Sequence, residues 1–400
     1  MSSVEIEGEL SAEECAVQET IHKFAEEVMR PAGIQLDALA DPSDVIAKDS
    51  VLWDVFKKHR ELGLDEMTSP DSDLTPGQQA RLRGIIAEEQ GWGDSGLAIG
   101  FGVSGFPRSM ALLSGRPALI ERFGSPDIVG CWGITEPDHG SDLILFAKEP
   151  ESAERLGTPN CVARKDGDSW VITGQKSAWV SNGTIATACA LYCAVDTGDG
   201  PRGVAGFVVP LDEPGVSKGK PLDKIGQRAL NQGEIFFDGL RVPADYLVVP
   251  PELFAVGIDA GLSQANSGMG ATFVGVGQAA LDLAISYAKE RVQGGVPIFQ
   301  HQSVKSRLFE MFRKVEAARA LSRRVLLHVS TQPPQLQYAI ASKITSTRTA
   351  FEVASEALQI FGGNGLSREY PIEKLMRDAR ASMIEDGCNE VLALTAAERL

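Results

Sequence analysis

The sequence predicts an α+β protein: an N-terminal helical domain over 1–128, a central antiparallel β domain over 129–243 and a C-terminal helical bundle over 244–400. Three observations predict it. Apolar residues recur at helical spacing in the first and last regions. Short runs rich in Val, Ile and Phe, punctuated by Gly, Asp and Pro, fill the middle region. No G-x-G-x-x-G follows a candidate strand, which argues against a dinucleotide-binding βαβ unit.

In the first region Val17, Ile21, Phe24 and Val28 form an amphipathic stripe, expected to end near Pro31. PGQQARLRGIIAEEQGWG is a second helix, opened by Pro76 and stopped by glycine. The stretch from Gly93 to Gly115 is rich in small residues, which allow close helix packing or leave room for a ligand. In the middle region SWVITGQK, ATACALYCAV, RGVAGFVVPL and GEIFFDGLRVP read as strands. In the last region Phe273, Val276, Ala280, Leu283 and Tyr287 step by three and four, and Val304, Leu308, Met311, Val315, Ala318 and Val325 continue the pattern. Pro333 and Pro334 break it, and a third helix runs from about Gln335 to Ile360. Apolar residues spread beyond one narrow face, which points to burial against several neighbours, another subunit among them.

The chain carries 54 acidic residues against 38 Lys and Arg, a net charge of −16, so nucleic acid is a poor partner. Six scattered cysteines without a C-x-x-C pair predict free thiols in a reducing compartment. Five histidines without ligand spacing predict no metal site. The acidic N-terminus has no apolar core and no stretch reads as a membrane span, so the expectation is a cytoplasmic protein.

The polar, turn-rich segment CWGITEPDHGSDL sits where helix gives way to strand. Read alone it is either an interdomain turn or a set of backbone N–H groups and hydroxyls that grip a flavin edge or a phosphate. With four further segments it resembles the acyl-CoA dehydrogenase family of FAD flavoproteins. These are GQKSAWVSNG (174–183), KIGQRALNQGEIFFDGLRVP (224–243), ERVQGGVPIFQHQSV (290–304) and QIFGGNGLSREYPIEKLMRDAR (359–380). The five segments stand in family order and the resemblance covers nearly the whole chain.

The resemblance implies a C-terminal four-helix bundle, an FAD cofactor, an acyl-CoA substrate, an electron-transfer flavoprotein as electron acceptor, and a tetramer or dimer. It implies that Trp132, Ile134 and Thr135 lie along the isoalloxazine, and that Ser141 touches cofactor or CoA. Trp179 and Ser181 would close the other side near flavin N5. Arg291 and Gln302 would bind the diphosphate, with Gln359, Gly362 and Gly363 reaching it from the neighbouring subunit. Cys388 and Glu390 would contact flavin. Gly362-Gly363 suits a pyrophosphate because no Cβ blocks the backbone.

The reaction needs a base to remove the proton α to the thioester, donors for the enolate oxygen, and exclusion of water. The family's base is a Glu just before Gly, at the position of Asp386 in SMIEDGCNEV. Its backbone N–H also binds the thioester carbonyl. An Asp is shorter by about 1.5 Å, and misplacing a base by that much costs on the order of 100-fold unless the pocket is built around it. Glu385 is the rival: it is long enough, but a shift of one residue redirects the side chain by roughly 100° if the segment is helical.

Several other departures stand out. Members that place the base on an earlier helix would need a carboxylate near Gln264-Ala265-Asn266, and there is none. Asn266, a substrate-side residue, stands where many members carry an Arg. VQGG replaces an aromatic–glycine pair beside Arg291, and the link before the signature is short. Asp for Glu resembles the branch that handles cyclic carboxyl-CoA substrates, so a cyclic or branched acyl group is the expectation. The alternatives are a flavin oxidase acting on a nitroalkane, and a non-catalytic relative that keeps the flavin.

Overall fold

The computed structural model describes residues 10–67, 73–145 and 158–400; the acidic residues 1–9 lie outside them. The first helix, α1 (Ala12–Phe24), starts at a reciprocal cap in which Glu14 N–H donates to Ser11 Oγ at 3.1 Å and Ser11 N–H to Glu14 Oε2 at 2.9 Å. Pro31 does not end this segment. A π turn over Ala25–Met29 leads straight into α2 (Arg30–Asp37), with Pro31 in the first turn. The wider turn takes up the proline, which has no N–H to offer the preceding ladder.

Short helices α3 (Val51–Glu61) and α4 (Leu64–Met67) lead to α5 (Pro76–Gly93), whose Thr75 cap pairs with Gln78. Then follow α6 (Ser95–Ser104), α7 (Phe106–Ser114) and α8 (Pro117–Phe123).

The middle region holds β1 (Gly130–Gly133), a single turn of helix α9 (Asp142–Leu145), and β2 (Val162–Asp166), β3 (Ser169–Lys176), β4 (Ala188–Asp196), β5 (Pro201–Pro210), β6 (Val216–Lys218), β7 (Ile235–Pro243) and β8 (Leu247–Val249). The sheet order is β6-β7-β3-β2-β4-β5-β8. Most pairs are antiparallel, but β1 and β2 both run parallel to β4, so the sheet is mixed. They share one edge of β4, with Cys131 opposite Cys189 and Ala163 opposite Val195. All nine residues of β4 are buried, which explains its unbroken apolar run.

The last region begins with α10 (Phe254–Glu290), a helix of 37 residues. A hairpin, β9 (Val292–Gln293) with β10 (Val296–Pro297), turns on Gly294 and Gly295 at φ +65 and +82. This explains the VQGG sequence: two successive left-handed residues favour glycine. Next come α11 (Gln302–Thr331), α12 (Leu336–Phe361), α13 (Ile372–Ser382) and α14 (Asn389–Ala397). Ser95–Ser114 and Pro251–Glu290 are long and apolar enough to cross a bilayer by composition. Phe273, Val276, Ala280 and Ala284 of α10 are nevertheless core residues of the bundle, packed with Met311, Val315, Ala350 and Val353.

Two contacts lock the regions together. Helices α5 and α10 touch through glycine: a Cβ on Gly91 would lie 1.9 Å from the Thr272 carbonyl oxygen, and one on Gly275 would lie 1.9 Å from that of Glu88. Buried Lys374 on α13 pairs with Asp94 at 2.5 Å and with Asp378 at 2.6 Å. Asp378 also accepts the Gln227 N–H at 2.5 Å. The N-terminal helices, the loop before β7 and α13 therefore meet at one ionic knot, directly beneath the acidic turn that follows α13.

Candidate active site

Helix α13 stops at Ser382, and α14 starts at Asn389. Between them Asp386 and Gly387 take positive φ, +49 and +90. The segment is therefore a turn, not a helix, and helical rotation does not decide between its two carboxylates. Their partners do.

Glu385 accepts a hydrogen bond from Gln227 Nε2 at 2.9 Å. Burial pushes its carboxyl up to about 7, against the pull of Gln227 and Lys224. Asp386 has no hydrogen bond or ion pair to its carboxylate among the described residues. Burial raises its carboxyl too, opposed by the charge of Lys343. Its N–H likewise finds no acceptor among the described residues. One residue thus offers both a free carboxylate and a free backbone donor.

Four elements hold this turn. Lys343 Nζ on α12 donates to the Gly387 carbonyl and to Asn389 Oδ1, each at 2.9 Å. Asn266 on α10, fully buried, makes a long 3.5 Å contact from Nδ2 to the Asp386 carbonyl. Cys388 N–H donates to Ser141 Oγ at 3.0 Å. Gln227, itself at φ +50, reaches in from the loop before β7.

The Thr135-Glu136 segment is equally fixed. Lys176 and Glu136, both side chains wholly buried, pair at 2.6 Å. Lys176 Nζ also donates to the Ile134 carbonyl at 3.1 Å, and Ser177 N–H to that of Thr135 at 2.9 Å. Glu136 further accepts the N–H groups of Asn160 and Cys161. Trp132 is stacked on Phe106 at 4.9 Å, and with Ile134 it packs against Phe254, Ile258 and Leu262. Trp179 is different: it is 60% exposed, a large flat apolar surface. Gln232 Nε2 bonds its carbonyl and, at 3.1 Å, the Ser181 hydroxyl. Lys224 in turn donates to Gln232 Oε1 at 2.7 Å, and burial brings this ammonium down to about 8. A hydrogen-bonded chain therefore links Ser181 through Gln232, Lys224 and Gln227 to Glu385.

A second group lies elsewhere. Arg291 ends α10, Gln302 opens α11, and Gln359 precedes the exposed glycines Gly362 and Gly363 at the end of α12. Tyr287 ties this end together: its ring stacks on Phe361 at 4.0 Å and its hydroxyl accepts from Asn364 Nδ2 at 2.9 Å. Gly362 stands at φ +61, and a Cβ on either glycine would meet nothing within 4 Å. The Arg291 guanidinium has no partner among the described residues. Along α10, Arg291 is 25 residues from Asn266, about 37 Å. Glu390 is exposed on the first turn of α14.

Residue patterns alone did not single out Gln227, Lys224, Gln232 or Lys343. Lys343 had one local signal, a lysine at a buried register of α12 between Ile340 and Thr347. The two groups fit FAD: an exposed flat ring with hydroxyls near the acidic turn, and open left-handed glycine backbone beside an unpaired guanidinium at the far end.

A helix–sheet–helix chain with a half-buried carboxylate that has no partner among the described residues, and an exposed flat ring on the middle domain, fits a flavin-dependent oxidoreductase fold. Comparison with known proteins gives the class its name. Residues 131–240 match the acyl-CoA dehydrogenase middle domain and 258–400 match the acyl-CoA dehydrogenase C-terminal domain. The mitochondrial short-chain specific acyl-CoA dehydrogenase of Bos taurus is 30% identical over 390 residues, 96% of this chain and 89% of that protein. The probable acyl-CoA dehydrogenase YngJ of Bacillus subtilis is 29% identical, over 98% of this chain and 99% of that one. The structure of butyryl-CoA dehydrogenase from Megasphaera elsdenii superposes with a TM-score of 0.84 at 25% identity, covering 98% of each chain. The chain belongs to the acyl-CoA dehydrogenase family, whose members are FAD-dependent oxidoreductases.

Proposed function

We propose that this enzyme converts an acyl-CoA thioester to its α,β-enoyl-CoA, with Asp386 as the base, an electron-transfer flavoprotein as electron acceptor, and a cyclic or branched acyl group as substrate. The observation that carries this reading is the Asp386 residue itself, whose carboxylate and N–H both lack partners among the described residues. A thioester carbonyl bonded to that N–H puts its α carbon beside the same residue's carboxylate. The N–H stabilises the enolate oxygen as the proton leaves. Burial makes the carboxylate a stronger base than a solvated one. Bound FAD supplies the acceptor for the β hydride. Trp179, Ser181, Thr135 and Ser141 hold the ring, and Trp132 and Ile134 back that wall from the core. Glu385, held by Gln227, keeps the turn in place and stays out of the proton transfer.

The diphosphate group of residues serves a second copy of the chain in this reading. A five-carbon ribityl chain spans about 10 Å at full stretch, far short of the roughly 37 Å along α10. Arg291 and Gln302 therefore act together with Gln359, Gly362 and Gly363 on the partner's cofactor, rather than from the opposite subunit. Each site is complete only in a homo-oligomer.

The test is anaerobic mixing of the holoenzyme with straight, branched and cyclic acyl-CoAs, following flavin absorbance. The expected result is bleaching by a thioester, with branched or cyclic acyl groups fastest, and reoxidation by electron-transfer flavoprotein faster than by air. Peroxide formation with a nitroalkane and no bleaching by any thioester overturns it.

A further inference from the structure

Lys343 is wholly buried in the middle of α12. Burial brings its ammonium down to about 8, and Asp386, then Glu385, Cys388 and Glu390 counter that fall. Among the described residues it makes no ion pair with a carboxylate. Its hydrogen bonds go to two neutral acceptors, the Gly387 carbonyl and Asn389 Oδ1. Asn389 is oriented in turn by Nδ2, which donates to Thr347 Oγ1 at 3.2 Å. A buried ammonium with only neutral acceptors is costly, and an apolar side chain of similar size would be tolerated better if packing were its whole purpose.

Two cations from different elements act on the acidic turn. From the loop before β7, Lys224 acts on Glu385 and on Asp378 of α13. From α12, Lys343 acts on Asp386 and, less than Lys224 does, on Glu385. The turn adds Glu385 and Cys388, and α14 adds Glu390. Helix α10 meets the turn through Asn266, which carries no charge. Among the described residues, Lys343 is the cation that opposes the rise at Asp386.

We infer that Lys343 is a positioning residue of the reaction: its hydrogen bonds fix the Gly387 carbonyl and the Asn389 side chain, and its charge keeps Asp386 ionised for proton abstraction. The inference rests on the reading of Asp386 as the base. It also implies a limit at the alkaline end. When Lys343 loses its proton near pH 8, the compensating charge is gone and the turn loses its strongest donor.

The experiment compares wild type, Lys343→Gln and Lys343→Met as holoenzymes. Lys343→Gln keeps an N–H donor without the charge, and Lys343→Met removes both. Thioester-driven bleaching is followed from pH 5 to 9. The Asp386 carboxyl is titrated separately by difference infrared spectroscopy, its band assigned with Asp386→Asn. Both variants are expected to move the acid limb of the rate and the infrared midpoint to higher pH, with a rate at pH 6 lower by about tenfold. Lys343→Gln, which keeps a donor, should recover toward the wild-type rate as pH rises, whereas Lys343→Met, which also lacks the hydrogen bonds to Gly387 and Asn389, should stay below it. An unmoved infrared midpoint in Lys343→Gln overturns the inference, because the charge then does nothing to Asp386. If neither variant folds, wild type alone decides. Its Asp386 band should show a second inflection near pH 8, and a single inflection overturns the pairing. If Asp386→Asn keeps full turnover, the base assignment falls, while the infrared titration still decides the Lys343–Asp386 coupling.

Discussion

Asp386→Asn is the sharpest perturbation available. The residue sits at φ +49, a conformation that Asn adopts as readily as Asp, so the amide replaces the carboxylate without moving the turn. The side chain has no partner among the described residues, so no hydrogen bond is broken. What is lost is the base alone, worth 10²- to 10⁴-fold in rate by general experience, about 3 to 5 kcal/mol. The expected outcome is a fall of that size in thioester-driven bleaching, measured by anaerobic stopped flow, with flavin content and unfolding midpoint retained. The pH dependence follows from burial, which raises this carboxyl. A base must be ionised, so wild-type activity is lost as pH falls through the raised value, and the residual rate of Asp386→Asn has no such limb. A loss smaller than tenfold, combined with an inactive Glu385→Gln, would refute the reasoning and move the base one residue back.

The remaining predictions concern neighbours of that turn. Glu385 has a folded value near 7 against an ordinary 4.5. Its protonated form is favoured in the fold, so its contribution is fully present below 4.5 and is lost as pH rises through about 7, a loss on the order of 3 kcal/mol. Urea unfolding should therefore show Glu385→Gln more stable than wild type at pH 8 and equal to it at pH 4; equality at both contradicts the shift. Lys176→Met strands the buried Glu136 carboxylate and should cost about 3–5 kcal/mol in denaturant unfolding; a cost under 1 kcal/mol would show that water reaches the pair. Gly363→Val and Arg291→Ala should each weaken flavin retention on dilution, read by fluorescence of released flavin, with little change in helix content by circular dichroism. Full retention in both would remove the far end of α10 from cofactor binding.

Much of the fold was legible in one dimension. SWVITGQK is β3 residue for residue, and the stripe from Val304 to Val325 lies along α11. Local patterns report faces because side-chain period is a property of the chain itself. Pro31 misled for the same reason: its local rule is sound, but a π turn lets the helix absorb it. The parallel pairing of β1 and β2 with β4 was not legible, since two strands sharing one edge of a third is a matter of global path. Within the site, the SMIEDGCNEV segment was legible as a place where a carboxylate matters, but not which of two adjacent acids is free.

The sequence alone determined the α+β class, the family's motifs and hence the cofactor type, and the presence of an Asp before Gly387. These depend on spacing and on short motifs. Only the tertiary structure decided that Glu385 is held by Gln227, 158 positions away, and that Lys343, 44 positions before Gly387, lies under the turn. Only it set Trp132 and Ile134 against the first half of α10 and Arg291 at the far end of that helix. The physical reason is that partnership is a property of contact. The turn that carries Asp386 is held by residues from four elements, and no run of neighbouring residues encodes which ones arrive.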